Sequence, residues 1–516
     1  MELKKEPILI SEILAEEDCE ILVDGDLIVP DIKPDILKVL QVDATAYLSR
    51  KELGDGRVLL SGRVDMTVLY IPDCEGTAVQ HIHTSFDFSH KLEKRAIVTD
   101  ACVFAEADVV RAEFHVINSR KIGLKAIVGL SCEVVGAKQL DLVCGVEGAY
   151  AEQKKEALML NTALSNRSET FLMKETLEVP AGKPAVAEVL KVDLKIGDKE
   201  IKPITEKVVA KGVLKACVLY MSMADSIEFM EFDVPFTEVF DLPGVYEGVN
   251  CTLDYQISDC NYEITGDTGG ERRIVILEVT ACAKLRASKQ TEIEVIEDCY
   301  CPGYDTQLQF CEDEVDEIVA SPSCQNTLRE VVAIDKALPQ IAGVYNVITK
   351  TVVSTTRIEG GKLEIEGKID AYILYLTDHE QMPVYSYKKE IPFRYLLDAP
   401  ESEDGLVCAV RAEVEHTSYH LNVANEVELR CILSLSADII RKRKLSLLCE
   451  AEILPISCED KKGIVIYFVQ PGDSVWSIAK RYRVPMTEII DNNQLCEPEK
   501  LLPGTRLVIP ACRKVS

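Results

Sequence analysis

No stretch of this sequence approaches the roughly 20 consecutive apolar residues that a bilayer-crossing helix needs, so no membrane span is expected. The opening segment, from Met1-Glu-Leu-Lys-Lys-Glu-Pro7, is acidic and has no apolar core, which excludes a signal peptide and implies synthesis for a cytoplasm. Basic residues are in deficit: 57 Lys and Arg stand against 86 Asp and Glu, a net charge of −29. A nucleic-acid partner wants a basic face, so none is expected, and the acidity reads first as solubility. Nineteen cysteines contain no Cys-x-x-Cys, and Cys299-Tyr-Cys301 is the only close pair, which excludes a zinc ribbon or a thioredoxin-type site. Most read as buried reduced thiols, with a minority left to cross-link in an oxidised assembly. There is no Gly-x4-Gly-Lys-Ser/Thr loop for a nucleotide and no His-Glu-x-x-His zinc helix. No cofactor and no catalytic centre are expected.

What the chain has is repetition, the first thing to establish because it decides the architecture. Val58-Leu-Leu-Ser-Gly-Arg-Val-Asp-Met-Thr-Val-Leu-Tyr70 returns as Val208 to Tyr220 and as Leu363 to Tyr375. Each copy holds a glycine (Gly62, Gly212, Gly367) eight residues before a tyrosine (Tyr70, Tyr220, Tyr375). An offset of 150 carries Lys4-Lys-Glu6 to Lys154-Lys-Glu156, Pro30 to Pro180, Asp43 to Asp193 and Phe86 to Phe236. In the third copy Pro30 is matched with Pro322 and Asp43 with Asp335. An insertion of 13 residues around Pro339 to Val352 then restores an offset of 305. The repeats are placed at 1–150, 151–300 and 301–460.

Within a repeat, Val103–Val116, Ile122–Val134 and Glu426–Ile440 alternate apolar and polar positions as half-buried strands do. Asp55-Gly56, Gly269-Gly270 and Gly360-Gly361 mark turns. Helices are expected near Glu152–Ser165 and Asp313–Ala320, while Asp35–Val39 fits strand or helix. The fold class is therefore mainly β: three tandem antiparallel β-rich repeats of sandwich or barrel type, packed in a row.

Chemistry-bearing clusters are few. His81-Ile-His83 puts two imidazoles on one strand face with Cys74 and His90 nearby, a conceivable metal site, but an exposed strand edge is the better account. Asp43, Asp193 and Asp335 recur without a partner acid or base and read as turn caps.

The tail changes character. From Ile464 onward there are seven Lys/Arg against five Asp/Glu, net +2, so the first 463 residues carry −31. Ile464–Val469 reads as a strand, Gln470-Pro-Gly472 as a turn, and Asp473 or Ser474 as a helix cap. Val475, Ile478, Ala479 and Tyr482 form an apolar stripe. Pro485 opens a second helix with Met486, Ile489 and Ile490 inward, Asn492-Asn493 ends it, and Thr505–Ile509 is a last strand. Trp476 lies off the first stripe, on the face it shares with Lys480 and Arg483. Helix geometry therefore predicts it exposed, as an interface anchor.

The run Tyr467-Phe-Val-Gln-Pro-Gly-Asp-Ser-Val-Trp-Ser-Ile-Ala-Lys-Arg-Tyr482, followed by Asn493 and Leu502-Pro-Gly-Thr-Arg-Leu-Val-Ile-Pro510, resembles a LysM module, here a β-α-α-β domain over 464–511. The resemblance implies binding of N-acetylglucosamine polymers such as peptidoglycan in a groove between two loops. Carried over, that groove is Gly472, Asp473, Ser474, Val475 and Trp476 on one side, and Leu501, Leu502, Pro503 and Gly504 on the other. Tandem Gly-x7-Leu-Tyr repeats ahead of a LysM module are similar to the SPOCS-domain spore-morphogenesis proteins of clostridia. That resemblance implies a non-enzymatic adaptor in the mother-cell cytoplasm, at the forespore surface and spore coat. Its implied partner is the stage IV sporulation coat-morphogenesis ATPase, held at the LysM groove in place of glycan. The rival expectation is a cell-wall accessory protein that reads peptidoglycan through the same groove.

Overall fold

The computed structural model describes residues 2–74, 79–148, 150–379, 381–401, 405–422, 425–455 and 464–510. The first repeat contains β1 (Glu2–Ile28), β2 (Ile36–Gly54), β3 (Arg57–Pro72), β4 (Gln80–Glu93), β5 (Cys102–Asn118) and β6 (Lys121–Glu147). The second contains β7 (Glu152–Glu178), β8 (Val186–Ile204), β9 (Lys207–Ser222), β10 (Ile227–Asp241), β11 (Asn250–Gly266) and β12 (Arg272–Tyr300). The third contains β13 (Tyr304–Ala320), β14 (Ser323–Ala333), β15 (Gly343–Glu359), β16 (Lys362–Leu376), β17 (Val384–Asp398), β18 (Leu406–Asn422) and β19 (Glu426–Pro455). The tail follows as β20 (Val465–Phe468), α1 (Val475–Tyr482), α2 (Met486–Asn493) and β21 (Arg506–Ile509). Mainly antiparallel β followed by β-α-α-β is the fold class expected.

Each repeat is a sandwich. A three-stranded sheet, β2-β3-β4 in the first repeat, covers one face of long paired strands, β1-β6-β5. Between them lie alternate residues of both layers, Leu60, Val64, Met66 and Val68 from β3 and Leu124, Ala126, Val128 and Leu130 from β6. Period-two side-chain alternation makes this possible and was legible in β5, β6 and β19.

The repeated glycine and tyrosine have a physical explanation. Gly62 pairs with Phe88, Gly212 with Phe236 and Gly367 with Phe393. A Cβ on Gly62 would stand 2.6 Å from Phe88 Cζ and 2.3 Å from the Tyr47 carbonyl oxygen. On Gly212 and Gly367 it would meet the equivalent phenylalanine at 2.6 and 2.5 Å. The neighbouring ring therefore occupies the space that any side chain would need. This register makes Phe88, not Phe86, the counterpart of Phe236. The tyrosines are fully buried, and each hydroxyl donates to a proline carbonyl 36 residues earlier: Tyr70 to Pro34 at 3.0 Å, Tyr220 to Pro184 at 3.1 Å and Tyr375 to Pro339 at 3.4 Å. Burial pushes all three phenols up to about 12.

Pro339 thus corresponds to Pro34, and the 305 offset runs through the whole third repeat. The expected 13-residue insertion is not there. Pro322 instead interrupts the long strand between β13 and β14, which pair with one continuous β19. Proline has no N–H for a ladder, hence the break. Asp335 does cap its turn, accepting from the Ala337 N–H at 2.9 Å.

The expected helices at Glu152–Ser165 and Asp313–Ala320 are strands, inside β7 and β13. Ala, Leu, Met, Lys and Glu favour helix locally, but β7 pairs along β12 over almost its whole length and buries Leu158 and Leu160 two residues apart. Tertiary pairing overrides propensity.

The repeats do not lie in a row. They close on one another around a pseudo-threefold axis, each touching both others through Arg63–Asp259 at 2.6 Å, Lys199–Glu413 at 2.8 Å and Lys138–Asp313 at 2.5 Å. Equivalent residues meet in shared cores. Leu69, Leu219 and Leu374 pack at one level, and Leu140, Ile293 and Leu445 at another, where the long strands run beyond the sandwiches. Near the first level the equivalent positions 41, 191 and 346 hold Gln, Lys and Asn. Lys191 is buried 3.2 Å from Asp43 and 3.0 Å from Asp193, Gln41 donates to Asp43 at 2.9 Å, and Asn346 donates to Asp193 at 3.1 Å. Burial works against the Lys191 charge, but Asp193 and Asp43 outweigh it and hold the ammonium above the ordinary lysine range. Asp43 and Asp193 therefore clamp a neighbouring repeat and cap no turn.

Among the described residues one disulfide, Cys311–Cys449, joins β13 to β19 in the third repeat. No helix among the described residues is long and apolar enough to cross a membrane.

Candidate functional site

The tail folds as its local sequence dictates. Ser474 caps α1, its side chain accepting from Ser477 N while Ser477 Oγ accepts from Ser474 N, a reciprocal capping box. Val475, Ile478 and Ala479 are buried as the stripe predicts. Pro485 precedes α2, and Gln494, left-handed at φ 50°, terminates it. Asn493 ties α2 to β21, donating to the Val508 carbonyl at 2.8 Å and accepting from Val508 N at 2.7 Å.

The two predicted groove loops are joined. Val469 N donates to the Thr505 carbonyl at 3.0 Å, and Gly504 N to that of Val469 at 2.8 Å. Gly472 and Gly504 take φ of +88° and +87°, the left-handed region that a side chain would strain. Asp473 accepts from the Tyr467 hydroxyl at 2.5 Å and from Gln470 N at 2.8 Å, with Arg481 at 3.3 Å. These donors, the Tyr467 hydroxyl first, hold its carboxyl below the usual range. Asp473 is thus a brace of the first loop. Ser474 is exposed but committed to its cap, Val475 is core, and Leu501 is half-buried. Leu502, Pro503 and Gly504 are exposed.

Trp476 is where expectation and structure part. The helical face is right: Trp476, Lys480 and Arg483 do project together. That face is not free, because it docks on the junction of the second and third repeats. The indole ring is half-buried edge-to-face on Tyr300, with ring centres 5.2 Å apart, and its N–H donates to Asp298 at 2.9 Å. Lys480 meets the other Asp298 oxygen at 2.5 Å, and Arg483 meets Asp305 at 2.7 Å. Tyr300, buried in the tail's own core, donates to the Val484 carbonyl at 2.9 Å. Trp476 is an anchor, but its partner belongs to the same chain. Sequence reasoning missed Asp298, Tyr300 and Asp305. The only available signal was the position of Asp298-Cys-Tyr300 at a repeat boundary.

With one tail face committed, the apolar surface left over is conspicuous. Ile466 and Phe468 on β20, with Ile464 just before it, lie two residues apart and are 57%, 55% and 71% exposed, and Leu502 in the later loop is 72% exposed. At a spacing of two residues, Ile464, Ile466 and Phe468 share one side of the extended chain.

The histidines weighed as a conceivable metal site do not come together; His83 is exposed on its strand, as the edge reading has it, while His81 and His90 are half-buried. His81 sits at the junction of the first two repeats, its Nδ1 3.6 Å from Glu188. His90, further along the same extended strand, contacts Glu17 instead.

Comparison with known proteins accords with this organisation. Residues 35–117, 185–265 and 340–422 match the family model of the SipL SPOCS domain, and residues 467–510 match the LysM domain. The chain is a protein of three SPOCS domains and a C-terminal LysM domain. The SPOCS domains imply a protein of spore-coat morphogenesis, and neither family is catalytic. A stretch of 45 residues is 51% identical to an uncharacterized protein of Chlamydia pneumoniae; it covers 9% of this chain and 12% of that protein's length. No solved structure matches.

Proposed function

We propose that this chain is a non-enzymatic adaptor of spore-coat assembly, working on the mother-cell side of the forespore surface. The closed triangle of SPOCS domains is its body, and the LysM domain engages a protein, the coat basement-layer ATPase of stage IV. The observation that carries this reading is the exposed apolar row of Ile464, Ile466 and Phe468 on a module whose Trp476 face is already fixed to the body. The one tryptophan is held by Asp298 and Tyr300 and so is withdrawn from any ligand at the groove. Within the groove of Gly472–Trp476 and Leu501–Gly504, the exposed apolar residue offered to the partner is Leu502.

The test uses the full chain, wild type and Phe468→Glu, with the purified ATPase and, separately, chitooligosaccharides. Saturable capture of the ATPase, lost on Phe468→Glu and unaffected by sugar, is the expected result. A saturable sugar response without ATPase capture makes the protein a peptidoglycan reader and overturns the proposal.

A further inference from the structure

Glu17 and Cys19 are two residues apart on β1, so their side chains share a face of the strand. From the covering sheet, β4 brings His90 to that face. His90 Nε2 lies 2.9 Å from Glu17 Oε1 and 3.7 Å from Cys19 Sγ. The carboxylate, thiol and imidazole atoms all fall within 4.8 Å of one another, and all three residues are half-buried. Cys132, buried on β6, pairs across the ladder with Glu17, which places a second thiol on the same side of the sheet.

With Nε2 protonated, His90 donates to Glu17 and, more weakly, to the Cys19 sulfur. Once the thiol and the ring nitrogen give up their protons, thiolate, imidazole and carboxylate each present a lone pair to one point, as a cation requires. One sulfur, one nitrogen and one oxygen suit a borderline-soft divalent ion, with a fourth position for water or Cys132. The set belongs to the first repeat alone. The equivalent positions hold Arg167, Glu169 and Glu238 in the second, and Pro322, Cys324 and Tyr395 in the third.

We propose that Glu17, Cys19 and His90 form a zinc-class metal site that staples the long paired strands of the first repeat to its three-stranded sheet. The test uses the reduced, chelator-treated full chain, titrated with Co2+ for thiolate-to-metal charge-transfer absorption and assayed for zinc retained after gel filtration. About one zinc per chain is expected in wild type and in Cys324→Ser, with loss in Cys19→Ser and in His90→Gln. Zinc should raise the melting temperature of wild type and leave that of His90→Gln unchanged. Should Cys19→Ser fail to fold, His90→Gln with native circular dichroism carries the test. Folded wild type that retains no zinc, or equal retention by His90→Gln, overturns the proposal.

Discussion

Replacing Asp298 with Ala should release the LysM domain from the SPOCS body without unfolding either. Two contacts end on this carboxylate. The indole N–H of Trp476 reaches Oδ2 at 2.9 Å, and Lys480 reaches Oδ1 at 2.5 Å. A hydrogen bond to a charged group contributes about 1.5–3 kcal/mol. The Lys480 pair, with side chains 37% and 23% exposed, is screened and adds only about 0.2–1 kcal/mol. Asp298→Ala therefore weakens the dock by about 2–4 kcal/mol, or about thirty- to nearly a thousand-fold. What remains includes the Tyr300 hydroxyl on the Val484 carbonyl, the ring contact, worth about 0.5–1.5 kcal/mol, Arg483 with Asp305, the Gly303 N–H on the Arg483 carbonyl and the Met486 N–H on Glu152. Because Trp476 is the only tryptophan, its fluorescence reports on this interface alone. The expected outcome is a red-shifted emission with greater acrylamide quenching in Asp298→Ala, and more so in Asp298→Ala/Tyr300→Phe. A double-mutant cycle with Trp476→Phe should return a coupling of about 1.5–3 kcal/mol. Emission and quenching identical to wild type, or a coupling below about 0.5 kcal/mol, would refute the assignment.

Three further outcomes test the body. Gly62→Ala should cost about 1–3 kcal/mol in thermal unfolding, because its Cβ meets both Phe88 and a backbone oxygen, and Gly367→Ala should behave alike. Lys191→Met leaves Asp43 and Asp193 facing each other at the pseudo-axis and should cost about 3–5 kcal/mol, read by denaturant titration and by loss of the closed shape in solution scattering. Glu188 is held down to about 2 from its ordinary 4.5, by the His81 ring first and also by Lys33, which together outweigh burial. Since the folded value is depressed, the stabilisation is complete above 4.5 and is lost as pH falls through about 2. Glu188→Gln should flatten the acid limb of a melting-temperature profile in that window; an unchanged limb means the contact contributes nothing.

Much of this molecule was legible before any coordinates. The LysM domain was read element by element, because its caps, stripes and turns are interactions within a few residues of one another. Ser474, Pro485 and Asn493 sit where local rules put them. The tandem organisation was legible because Gly62 and Tyr70, with their counterparts, must recur wherever the same ring and the same carbonyl recur.

Tertiary structure alone decided the rest. The stretch from Glu152 to Ser165 has the composition of a helix, and only its partner strand, more than a hundred residues away, makes it extended. The third repeat's register could not be read through Pro322, since nothing local tells a broken strand from an inserted segment. Closure of the three repeats depends on Lys191 finding Asp43, and the LysM dock depends on Trp476 finding Asp298. Periodicity assigned Trp476 to the right face of its helix, but what that face meets lies 178 residues earlier in the chain. Local sequence fixes elements because their free energy is local. The assembly of these elements rests on contacts whose two halves carry no mark of each other until the chain has folded.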